Sequence, residues 1–118
     1  GNSLSIQQQQ ALLYKQQYEY SYITLLNDLR VQAELIRETL SNYTEIIPIN
    51  QDIVLSAEED LKLATKRYSL GSATILEVLD AQVSLMRSKS SLINIIHDAR
   101  IQEASLNAIL GILDGKYQ

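Results

Sequence analysis

The stretch from Ala64 to Gln82, ATKRYSLGSATILEVLDAQ, decides how this chain folds. Gly71 supplies the left-handed backbone conformation that ends a helix. Thr74, with Glu77 three residues later, forms the capping box that starts another. The chain therefore turns at about residues 70–73, between a helix predicted over about 3–69 and a second over about 74–113. Away from this junction, Pro48 is the only other strong breaker inside the predicted helices before Gly111. The flanking sequence is Gln, Leu, Glu, Ala, Lys and Ile with scattered Tyr, which favours helix on both sides.

Outward from the turn, the apolar residues repeat every seven positions. Steps of four and three from Tyr22 meet Leu26, Leu29, Ala33, Ile36, Leu40, Tyr43, Ile47, Asn50, Val54, Ala57, Leu61, Ala64 and Tyr68. Only Asn50 is clearly polar, and a heptad seam of this length makes helices supercoil against partners. The register passes through Pro48 without a phase shift, as one long helix kinked at the proline would require. Beyond Gly71 two seams are predicted. One runs Leu79, Val83, Met86, Ser90, Ile93; the other runs Leu85, Lys89, Leu92, Ile96, Ala99, Glu103, Leu106, Leu110, Leu113. Two seams on one helix mean neighbours on two sides.

The predicted fold is all-α, a long antiparallel coiled-coil hairpin. The alternative is a compact three-helix bundle split at Pro48 and Gly71. At about 1.5 Å per residue the first helix would run about 100 Å and the second about 60 Å. In a hairpin, the first 30 or so residues would then have no partner within the chain.

Composition removes several function classes. There is no Cys, hence no disulfide, thiolate metal site or cysteine nucleophile. No Ser-His-acid set with a glycine elbow and no phosphate-binding glycine loop is present. An enzyme is not expected. A net charge of −4, with scattered basic residues, argues against nucleic-acid binding. No stretch approaches the roughly 20 consecutive apolar residues of a membrane-spanning helix. A chain that begins at Gly1 reads as a single helical domain, 1–118, cut from a longer protein.

The Ala64–Gln82 segment resembles the periplasmic tip signature of TolC-type outer-membrane efflux proteins: an aromatic, two residues, Gly, a short polar turn, then an aliphatic run ending Leu-Asp-Ala-Gln. Leu106-Asn107-Ala108-Ile109-Leu110-Gly111-Ile112-Leu113 is similar to the family's end-of-helix Ala-Leu-Gly-x-Leu element. The spacing between the two elements agrees, as does the long Gln-rich helix. The resemblance implies one of two helical repeats per protomer of a homotrimeric channel. Its helical barrel crosses the periplasm and continues into an outer-membrane β-barrel, the only part to touch the membrane. It implies a passive export conduit, without cofactor or metal, opened by a periplasmic adaptor and an inner-membrane pump. By position, Tyr68, Glu77 and Asp80 match the periplasmic gate, and Leu70, Gly71, Ser72, Ala73 and Thr74 match the tip that meets the adaptor. Ala73 stands where the family can carry an arginine latch, so that particular lock is not implied.

Each of these positions also has a plain structural reading. Glu77 completes a capping box and Asp80 complements a helix dipole. Gly71 and Thr74 stop and start helices. Tyr14, Tyr18, Tyr20 and Tyr22 are read as packing against neighbouring helices, Gln7–Gln10 as a solvated helical stretch, and His97 as structural, having no second ligand at zinc spacing. Outside the family reading, the chain would be a soluble coiled-coil scaffold or adhesin stalk.

Overall fold

The structure, a computed structural model, describes residues 1–115. Helix α1 spans Asn2–Ser69 and helix α2 spans Ile75–Leu113. They pack against each other as a hairpin 102 Å long and about 20 Å across, 21 × 19 Å. The length equals what 68 helical residues reach at about 1.5 Å each. There is thus no reversal at Pro48, and the compact three-helix bundle is not the fold. Pro48 lies inside an unbroken α1.

The seam read from Tyr22 onward is the face that α1 turns to α2. From Leu26 to Ala64 every one of its positions is buried or half-buried, Ala33, Val54 and Ala57 most completely. The two ends, Tyr22 at 46% and Tyr68 at 47%, remain exposed. Asn50 is tolerated in the seam because its amide is already engaged: Nδ2 donates to the Ile46 carbonyl at 3.0 Å.

On α2 the predicted inner seam needs correction. Leu85, Leu92, Ile96, Ala99, Leu106, Leu110 and Leu113 are half-buried as expected, but Lys89 and Glu103 give way to positions one residue earlier. Val78, Ala81, Ser88, Ile95, Gln102 and Ile109 fill the interface, whereas Lys89 and Glu103 are exposed. Stepping by three from Leu85 places small Ser88 in the seam, its hydroxyl satisfied by the Leu85 carbonyl at 2.8 Å. Lys89 is left at the edge, where Nζ lies 3.9 Å from the Glu58 carboxylate of α1. A charged Lys in the seam would lose hydration for no fixed partner, so the register that keeps it at the rim prevails.

Because α2 is shorter, it ends beside Arg30 and Ala33 of α1. Every residue from Gly1 to Leu25 is exposed. The seam itself stops being apolar there: its next positions towards the N-terminus, Glu19 and Lys15, are charged and lie 4.0 Å apart on successive turns.

Both helices carry a further apolar stripe that stays exposed in this chain. On α2 it is the expected Leu79, Val83, Met86 and Ile93, all exposed, and roughly 150° round the helix from the buried seam. On α1 the structure exposes a stripe that the sequence reading did not separate from the first. Tyr14, Tyr18, Leu25, Leu35, Ile46, Ile49, Ile53 and Leu63 follow one another at heptad-compatible spacings, roughly 100° from the seam.

Candidate functional site

The hairpin tip is built by two helix caps joined back to back. At the end of α1, the Gly71 amide donates to the Tyr68 carbonyl at 3.0 Å and the Ser72 amide to the Arg67 carbonyl at 2.8 Å. This is a Schellman closure, and it needs Gly71 at φ +79°. A Cβ on Gly71 would meet no atom within 4 Å, so the requirement for glycine comes from the backbone angle alone. At the start of α2, the Glu77 amide donates to Thr74 Oγ1 at 3.3 Å while the Thr74 amide donates to Glu77 Oε2 at 3.2 Å. The capping box expected from the sequence is complete.

One side chain important to this turn was not singled out in the sequence. Arg67 Nη2 donates to the Ser72 carbonyl at 3.0 Å, and Ser72 Oγ donates back to the Arg67 carbonyl at 3.1 Å. The legible signal was a basic residue in the last turn of a helix, where free carbonyls attract donors.

Around this frame the candidate gate and tip residues are distributed unevenly. Tyr68 is half-exposed on the last turn of α1, and Glu77 and Asp80 are exposed on the first turns of α2. Glu77 is held by its cap, whereas Asp80 makes no hydrogen bond or ion pair among the described residues. Leu70 is 73% exposed at the apex. Ser72 and Thr74 are exposed beside it, their hydroxyls spent on the turn, and Ala73 is half-buried. The tip therefore presents Leu70, Ile75 and Leu76 outward as a small apolar cap over a rigid turn.

Elsewhere the surface is grooved rather than pocketed. One shallow groove runs along α1 past Arg30, Glu34 and Glu38. Another crosses from Ile49 and Ile53 to Ser84 and Ser88 of α2. Among the described residues, no group of three or more His, Cys, Asp or Glu converges as metal ligands would. Among the described residues, no helix is long and apolar enough to cross a membrane.

The tip signature and the two-sided hairpin meet in one comparison. The model of the outer membrane efflux protein family matches residues 1–112. The chain belongs to that family. Among curated relatives, it is 29% identical to the outer membrane protein TolC of Escherichia coli (strain K12) over 105 residues, which is 83% of this chain and 21% of the relative. The chain thus spans about a fifth of the length of that relative. No solved structure matches it. For this efflux family member, the hairpin, its turn and its exposed stripes are the parts from which function has to be argued.

Proposed function

We propose that this chain is a helical domain of a larger protomer and forms part of the periplasmic α-helical barrel of a trimeric outer-membrane efflux or secretion channel. The observation that carries this reading is the pair of unpartnered apolar stripes on different sides of a 102 Å hairpin. A hairpin with exposed large apolar side chains on two flanks is suited to a curved wall of similar hairpins, which would cover them. The free arm, residues 2–25, needs neighbours in the same wall.

In this reading the channel is a passive conduit with no catalytic step and no cofactor. Three-fold repetition gathers Asp80 and Tyr68, with Glu77, into a ring where the wall narrows. Carboxylates crowded there favour cations and repel one another. Closure then depends on what offsets that repulsion, and Glu77 contributes less free charge than Asp80 because its carboxylate already accepts from the Thr74 amide. The Leu70–Thr74 turn is the surface on which a periplasmic adaptor, coupled to an inner-membrane pump, would press to open the ring. The Leu70, Gly71 and Ser72 amides are spent within the turn and the Thr74 amide on Glu77, so what a partner meets first is Leu70 and its apolar neighbours.

The test uses the full-length protein that carries this chain. Reconstituted into planar lipid bilayers, it should be trimeric and conduct ions, with cation preference. A protein that sediments as a rod and never conducts would overturn the channel and return the chain to the scaffold or stalk reading.

A further inference from the structure

Helix α1 is fastened to α2 at two separated levels. Towards the tip the buried residues are Val54, Ala57 and Val78; at the far end of α2 they are Ala33, Ile109 and Gly111. Between those levels nothing is fully buried, neither from Glu34 to Ile53 on α1 nor from Leu79 to Ala108 on α2. Pro48 lies inside this span, where the seam residues Ile36, Leu40, Tyr43, Ile47 and Asn50 are half-buried. Having no N–H, it leaves the Thr44 carbonyl without its helical donor, and its ring crowds that carbonyl.

The side chains around Pro48 are engaged with the same stretch of backbone. Thr44 Oγ1 reaches the Leu40 carbonyl at 3.0 Å and the Ser41 carbonyl at 2.9 Å. Thr39 Oγ1 reaches the Leu35 carbonyl, and Asn50 Nδ2 reaches the Ile46 carbonyl, both at 3.0 Å. Hydroxyls bonded back to carbonyls in this way compete with the helix ladder and favour bending. Asn50 also replaces an apolar knob in the seam, which weakens the grip of α2 at that level.

We propose that residues 44–50 are a built-in bending point of α1. They divide the hairpin into a tip-side unit fastened at Val54, Ala57 and Val78 and an upper unit fastened at Ala33 and Ile109. The chain can flex there because one backbone hydrogen bond is absent and the seam residues at that level, Tyr43, Ile47 and Asn50, are only half-buried, whereas flexing at Val54 or Ala33 would open fully buried contacts. The inference concerns the hairpin alone and stands whether or not it lines a channel. In a channel it would let the tip move sideways, about 30 Å below the pivot, while the upper wall stays in place.

Hydrogen exchange on the full-length protein tests this directly. Amides of residues 45–52 should exchange at least tenfold faster than those of 34–41 and 54–61, and Pro48→Ala should slow them to the flanking rate. Exchange within twofold of both flanks in the unsubstituted protein, or exchange that stays fast in Pro48→Ala, would overturn the proposal. A second reading uses spin labels at E38C and E59C, on the side of α1 away from α2. The distance distribution should be at least twice as wide in the protein that keeps Pro48 as in the Pro48→Ala variant, and equal widths would refute a bend there. Pro48→Ala adds a helix former and a donor, so misfolding does not confound either measurement.

Discussion

Arg67 and Ser72 clasp each other across the turn through three hydrogen bonds. The Ser72 amide and hydroxyl both donate to the Arg67 carbonyl, at 2.8 and 3.1 Å, and the Arg67 guanidinium donates to the Ser72 carbonyl at 3.0 Å. The backbone bond survives any substitution that keeps the turn. The side-chain bonds do not, and each is exposed, so each contributes only about 0.5–1 kcal/mol. Arg67→Ala and Ser72→Ala should each lower stability by about that much in chemical denaturation of the full-length protein, with an unchanged denaturant dependence. A loss above about 3 kcal/mol in either would mean that the side chain has a partner beyond this turn.

Gly71 should be less replaceable than either of them. At φ +79° an L-residue costs about 1–2 kcal/mol in the left-handed region. Gly71→Ala is expected to lose that amount and Gly71→Asn distinctly less, since Asn tolerates this conformation. Equal losses would show that space at the turn, not backbone angle, is limiting.

The carboxylates at the tip separate by substitution. Glu77→Gln keeps the capping box, because Gln also accepts from the Thr74 amide, and should leave stability within about 0.5 kcal/mol. Thr74→Ala removes the cap and should cost about 1 kcal/mol. In bilayer recordings of the full-length protein, Asp80→Asn should reduce cation preference more than Glu77→Gln does. Equal effects would contradict the weaker role assigned to Glu77.

Ala33 is buried at the α1–α2 seam, at 2% exposure. Ala33→Leu would force extra methyl groups into that contact and should destabilise by about 1–3 kcal/mol, read as a fall in melting temperature. By contrast, a double-mutant cycle on Lys89 and Glu58, half-exposed and 3.9 Å apart, should return a coupling of no more than about 0.5 kcal/mol. A larger coupling would mean that the ion pair, rather than the seam, sets the register.

The tyrosines of the free arm provide a footprint of assembly. Tyr14 and Tyr18 lie on the outward stripe of α1 and Tyr20 lies off it, yet all three are exposed in this chain, at 71%, 76% and 74%. In the assembled full-length protein, hydroxyl-radical labelling of Tyr14 and Tyr18 should fall at least fivefold relative to Tyr20. Uniform labelling would leave the arm without its proposed neighbours.

Much of this molecule was readable before any coordinates, because the decisive signals are local or strictly periodic. Gly71, Thr74 and Glu77 act within a few residues of one another, so the turn follows from their types and spacing. The seam from Leu26 to Ala64 is a repeat in one helix, and any partner must meet it. The tertiary structure was needed wherever two placements satisfied the same pattern. On α2, counting on from Leu85 permits Lys89 or Ser88, and only the presence of α1, with Glu58 at its rim, selects Ser88 for the seam. The outward stripe of α1 was hidden beside the inner one until α2 covered its neighbour. Pro48 could have turned the chain or been carried through. The structure carries it through, with Ala33 on one side of it and Val54 and Ala57 on the other buried in the same seam.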